Sequence, residues 1–171
     1  IPTSAPVSTE AVSQEVDFKG ITETVQSVAD GQAMSITEVK DPVFSQKMMG
    51  DGYAVEPASG SIYAPVTGVV TSVFPTKHAV GILSDKGLEV LVHVGLDTVA
   101  LNGAPFSAKV ADGQRVAAGD LLLVADLEAI RSAGRETTTV VAFTNTAEIK
   151  SVTLENLGQV TKDSQVAQVE L

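Results

Sequence analysis

From Met34 to the C-terminus the chain alternates short β-forming segments with glycine-bearing turns, and this repeat restricts what it can fold into. The segments are Ser35–Val39, Tyr53–Pro57, Gly60–Ala64, Gly68–Phe74, His78–Ser84, Leu88–Val94, Phe106–Val110, Leu121–Asp126, Thr137–Phe143, Gln159–Val160 and Val166–Glu170. Helical signals are brief. Val43–Met48 and Glu148–Val152 read as single turns. Leu127–Ala133 reads as a short helix with Asp126 as its N-cap and Gly134 after its end. The prediction is an all-β fold, an antiparallel sandwich or barrel-like domain with short helical turns.

Residues 1–32 read differently. Ile-Pro-Thr-Ser-Ala-Pro-Val-Ser-Thr opens like a linker, and the apolar spacing after it (Val12, Val16, Ile21, Val25, Val28) is too irregular for a helix. The expected division is a flexible linker over 1–32 and one domain over 33–171. The start at Ile1 rather than Met points to a piece of a longer polypeptide.

Composition narrows the function classes. A net charge of −10 argues against nucleic acid and against an anionic membrane surface. The chain has no cysteine, so disulfides, thiolate zinc sites and cysteine nucleophiles are excluded. No apolar run approaches the roughly 20 residues that span a bilayer.

Chemistry concentrates at His78 and His93, the only histidines. Between them two apolar segments flank Ser84-Asp-Lys-Gly87, which reads as a β-hairpin. A loop of two or four residues pairs Ser84 with Gly87 and sets His78 opposite His93, with Cβ atoms about 4.5–5.5 Å apart. That register puts Val80, Ile82, Glu89 and Leu91 on the histidine face, an apolar surface with two polar groups at its centre. A three-residue loop with Gly87 as a bulge would shift the pairing by one residue and separate the histidines onto opposite faces. The even loop is the preferred expectation.

The stretches Phe74-Pro-Thr-Lys-His-Ala-Val-Gly-Ile and Glu89-Val-Leu-Val-His-Val-Gly-Leu-Asp-Thr-Val resemble the two histidine segments of the glucose-type enzyme IIA domain. That domain is a phosphocarrier of the bacterial phosphoenolpyruvate:sugar phosphotransferase system. Further matches are Asp41-Pro-Val-Phe-Ser-Gln-Lys-Met-Met-Gly-Asp-Gly, Ala64-Pro-Val-Thr-Gly, Asp112-Gly-Gln-Arg-Val and Gly119-Asp120. The resemblance covers roughly residues 35–171. It implies that His93 takes a phosphoryl group on Nε2 from the carrier protein HPr and passes it to the cysteine of a IIB domain. His78 would hydrogen-bond the phosphoryl oxygens, and Thr76 would orient His78. Asp41 and Asp97 would face a basic partner, with Val80, Ile82 and Leu91 as the apolar docking patch. Chemically, a neutral imidazole is a good nucleophile near neutral pH. A proton on Nδ1, given to a carbonyl near Gly95, would leave Nε2 free. Phosphoryl transfer then needs positioning and charge stabilisation, with no metal or other cofactor. The implied setting is a cytoplasmic monomer, either free-standing or tethered to the membrane as part of a fused IIBC permease.

Three rivals fit less well. A biotinyl or lipoyl carrier would present a lysine at a hairpin tip, whereas Lys47 lies in a helix-like stretch before Gly50-Asp-Gly. A zinc hydrolase lacks His-x-His and His-Glu-x-x-His spacing. A regulatory interaction module of the same fold, without phosphotransfer, shares every feature except a need for both histidines.

Overall fold

The computed structural model describes residues 21–171. Its strands, in chain order, are β1 (Thr22–Gln26), β2 (Gly31–Ser35), β3 (Asp51–Pro57), β4 (Ser61–Tyr63), β5 (Gly68–Val73), β6 (Ala79–Ser84) and β7 (Glu89–Leu96). They continue with β8 (Phe106–Ala108), β9 (Arg115–Val116), β10 (Leu121–Ala125), β11 (Glu136–Phe143), β12 (Ser151–Leu154), β13 (Gly158–Val160) and β14 (Gln165–Glu170). Two short helices interrupt them, α1 (Pro42–Ser45) and α2 (Leu127–Ser132). An eight-stranded sheet runs β9–β5–β6–β7–β11–β3–β2–β13, and two three-stranded sheets run β4–β10–β8 and β12–β14–β1. Neighbouring strands pair antiparallel. The fold class is the predicted antiparallel, all-β one.

The large sheet buries both faces at its centre. Seven of the eight residues of β11 are buried, because successive side chains enter different clusters. Val141 and Phe143 join the main core with Val80, Ile82, Val90, Val92 and Val94. Val140 and Ala142 point the other way, into a smaller cluster with Ile36, Val39, Phe44, Ala54 and Leu96. That second cluster is roofed by the 3₁₀ turn Ile36–Glu38 and by α1. Asp41 starts α1: its Oδ1 accepts a hydrogen bond from the Val43 amide at 2.9 Å, and Pro42 supplies the first helical residue. The turn lays Phe44 onto the sheet beside β7.

Three expectations are corrected. The expected linker over 1–32 is too long: β1 and the start of β2 lie inside it, and Val25, Val28 and Ala29 are fully buried in the main core. Residues 1–20 of that linker lie outside the described residues. The strand expected at Ser35–Val39 gives way at Ser35, whose hydroxyl accepts from the Thr37 amide and caps the 3₁₀ turn. The turn expected at Glu148–Val152 ends at Glu148, and β12 begins at Ser151.

The hairpin register is also corrected. Ser84 pairs with Leu88, closing a three-residue turn in which Gly87 has φ +95°. The Ser84 hydroxyl accepts from the Lys86 and Leu88 amides, which favours this turn over the even one. His93 therefore faces Ala79 across the ladder. Val80 and Ile82, expected on the histidine face, are 0% and 1% exposed and belong to the main core. The face that carries His93 instead holds Ala79, Gly81, Leu83, Glu89 and Leu91.

Candidate functional site

The shifted register does not separate the histidines. His78 precedes β6, after Lys77 at φ +58°, and so escapes the alternation that would send its side chain into the core. Its carbonyl accepts from the Val94 amide at 2.8 Å, fixing it to β7. From the strand end its ring meets His93 edge-on, with centroids 4.9 Å apart and planes at 82°.

Each imidazole has one nitrogen engaged. His93 Nδ1 lies 2.8 Å from the Gly95 carbonyl oxygen, which only accepts, so Nδ1 carries the hydrogen and Nε2 keeps its lone pair. His78 Nδ1 lies 2.5 Å from Thr76 Oγ1, a group able to donate or accept. In both cases Nδ1 is the occupied position, leaving Nε2 for other chemistry.

Burial keeps the pair neutral. His78 is 6% exposed, and desolvation lowers its pKa. His93 is lowered to about 4, first by burial and then by the His78 ring, against smaller opposing effects of the Gly95 hydrogen bond and the Asp41 carboxylate. At neutral pH His93 is thus an uncharged imidazole in a partly desolvated site.

Aromatic rings supply that burial. Phe44 lies against His93 at 5.0 Å between centroids, and Phe74 meets His78 at 5.7 Å, nearly perpendicular. Phe74 is 37% exposed and Leu83 42%, and both line a shallow depression with Met49, Gly81, Glu89 and Leu91. An apolar surface does adjoin the histidines; of these residues Glu89 and Leu91 were expected on the histidine face, and Ile82, also expected there, reaches the depression only from the core. Phe44 and Phe74 were missed as site residues although both stand in the quoted motifs, four and four residues before Met48 and His78 respectively. Gly81 and Leu83 were missed because the assumed register turned β6 over, and Met49 because it lies in the turn after α1, away from the hairpin that was read for the site.

Of the acidic candidates, Asp41 acts on the pair and Asp97 turns to Arg135. Asp41 caps α1 while its charge acts on His93. Asp97 stands at φ +60° in the turn after β7, exposed, with Oδ2 3.8 Å from Arg135 Nε. Among the described residues no three His, Asp or Glu side chains are grouped as metal ligands. Among the same residues, no helix is long and apolar enough to cross a membrane.

A family model for the phosphoenolpyruvate-dependent sugar phosphotransferase system, EIIA 1, matches residues 23–149. The chain belongs to this family. It is 62% identical, over its whole length, to the PTS system glucose-specific EIICBA component of Streptococcus pneumoniae, of which it spans 24%. It is 45% identical to the PTS system glucose-specific EIIA component of Bacillus cereus, over 76% of this chain and 79% of that protein. The glucose permease IIA of Mycoplasma capricolum superposes with a TM-score of 0.81 at 38% identity, covering 86% of this chain and 95% of that one. The EIIA match begins within β1, so residues the linker expectation set apart belong to the matched region.

Proposed function

We propose that this EIIA domain carries a phosphoryl group on His93 Nε2 between phospho-HPr and the cysteine of a IIB domain, during uptake and phosphorylation of a sugar. The observation that carries this reading is the Nδ1 contact of His93 with the Gly95 carbonyl, which leaves Nε2 unprotonated beside a second imidazole. The lone pair of Nε2 attacks phosphorus in line. The new P–N bond forms as the bond to the HPr histidine breaks, and the electron pair of that bond returns to the HPr imidazole. In the next step the IIB thiolate attacks, and His93 recovers its lone pair as the leaving group.

His78 serves the phosphoryl oxygens in this reading. If Thr76 donates its hydroxyl hydrogen to His78 Nδ1, then His78 Nε2 bears a hydrogen and can donate to an oxygen of the transferred group. The depression lined by Met49, Phe74, Leu83 and Leu91 offers an apolar surface for both partners, with the Glu89 carboxylate on its wall; Asp41 and Asp97 are the further carboxylates that would meet a basic partner. Likeness to the fused pneumococcal EIICBA relative supports a place beside IIB and IIC domains at the inner face of the membrane, with glucose as the sugar.

Phosphotransfer from phosphoenolpyruvate through enzyme I and HPr tests the assignment. His93→Gln should accept no phosphate. His78→Gln should still accept from HPr, because a glutamine amide can donate, while transfer to IIB falls much further. Phosphorylation of His93→Gln at the wild-type rate would contradict the proposal.

A further inference from the structure

We infer that Thr98 is a positioning residue for His93: it holds the Gly95 carbonyl that decides which imidazole nitrogen carries the hydrogen. Its kinetic consequence rests on the phosphocarrier reading; its structural consequence does not.

Thr98 is 0% exposed at the start of the 3₁₀ turn Thr98–Leu101. Its Oγ1 donates to the Val94 carbonyl at 2.5 Å, which fixes the peptide plane leading into Gly95. Gly95 then turns through φ +79°, a conformation available to glycine at little cost. A Cβ on Gly95 would stand 2.4 Å from Thr98 Cγ2 and 2.9 Å from the Glu136 carbonyl oxygen. Gly95 is therefore held between the Thr98 methyl group on one side and the β11 backbone on the other. With the preceding peptide tied down and the residue itself wedged, the next carbonyl keeps its aim at His93 Nδ1.

Thr98 acts here through backbone, without contact with the reacting nitrogen. The arrangement parallels the one at His78, whose Nδ1 meets the Thr76 hydroxyl directly. A threonine thus sets the Nδ1 environment of each histidine, once by contact and once through the Val94–Gly95 peptide. Deleting the Thr98 hydroxyl leaves the Val94 carbonyl without that donor and frees the peptide to rotate.

Nitrogen-15 NMR of the imidazoles, well above the His93 pKa, reads the tautomer in Thr98→Ala and Thr98→Ser. Serine keeps the hydroxyl, so Thr98→Ser should hold the wild-type Nδ1–H form. Thr98→Ala should move the tautomer ratio about threefold to tenfold toward Nε2–H, the range expected for one neutral hydrogen bond. Phosphate acceptance should fall in proportion to the Nδ1–H fraction lost, a smaller change than that in the ratio, with little change in KM for HPr. An unchanged ratio in Thr98→Ala overturns the inference, as does a wild type found mainly as Nε2–H. Should Thr98→Ala not fold, the wild type still decides: a Thr98 hydroxyl proton exchanging as fast as one in free solvent contradicts the bond to Val94. A wild type that accepts no phosphate, with the tautomer shift intact, would instead remove the phosphocarrier reading alone.

Discussion

The ring of Phe44 rests on His93 at 5.0 Å between centroids, tilted by 58°, and it does so from a four-residue helix anchored by Asp41. Phe44 is 5% exposed and ties the histidine to the smaller apolar cluster. It supplies part of the burial that holds His93 uncharged. Phe44→Ala should therefore raise the His93 pKa from about 4 toward its usual 6.5, read by NMR titration. The cavity should cost about 3 kcal/mol in denaturant unfolding. A variant with an unmoved His93 pKa would show that other groups desolvate the ring.

Acid should weaken the fold through His93. Its folded pKa lies below the unfolded value, so between about 4 and 6.5 the unfolded chain binds more protons and stability rises with pH. The favourable contribution is complete above the unfolded value and is lost as pH falls toward about 4. Lowering the pH from 7 to 5 should cost wild type about 2 kcal/mol more than His93→Gln, which cannot titrate there. Equal losses in the two proteins would contradict the depressed pKa.

Removing residues 1–30 should destabilise the domain. The cut takes away β1 with Val25, Val28 and Ala29, all fully buried. Burial of the two valines alone is worth about 4 kcal/mol, and β14 would lose its β1 neighbour. Thermal unfolding monitored by circular dichroism should show a melting temperature lowered by many degrees. An unaltered transition would mean that this strand adds nothing to the core.

How far the sequence alone leads is visible at the hairpin. Val-Leu-Val-His-Val alternates clearly, and β7 appears where that pattern puts it. The turn was harder, because Ser84-Asp-Lys-Gly87 fits even and odd loops; the choice depends on Ser84 hydrogen bonds and the positive φ of Gly87. That single residue of shift moved Val80 and Ile82 inward and brought Gly81 and Leu83 to the surface. The histidines still meet, because His78 stands outside the strand. β1 was missed for a different reason: Thr-Glu-Thr-Val-Gln carries one core valine among polar residues, and its burial comes from β14 and the main core. Helix α2, by contrast, announced itself through Asp126 and Gly134, whose cap and positive φ are local properties.

The two acidic candidates allow a charge test with little disturbance of structure. Asparagine can cap α1 as Asp41 does, and it tolerates the left-handed conformation of Asp97 at φ +60°. Asp41→Asn with Asp97→Asn should slow phosphate acceptance from HPr by up to about tenfold at low salt. The deficit should shrink as screening increases. A rate unchanged at every ionic strength would assign both carboxylates to their turns alone.

The most direct test of the account is to find the phosphoryl group itself. The domain would be incubated with phosphoenolpyruvate, enzyme I and HPr, then examined by mass spectrometry and by phosphorus and nitrogen NMR. The prediction is a single phosphoryl group on His93 Nε2, with Nδ1 still protonated toward Gly95. A phosphoryl group on His78, on Nδ1 of His93, or on no histidine would contradict it.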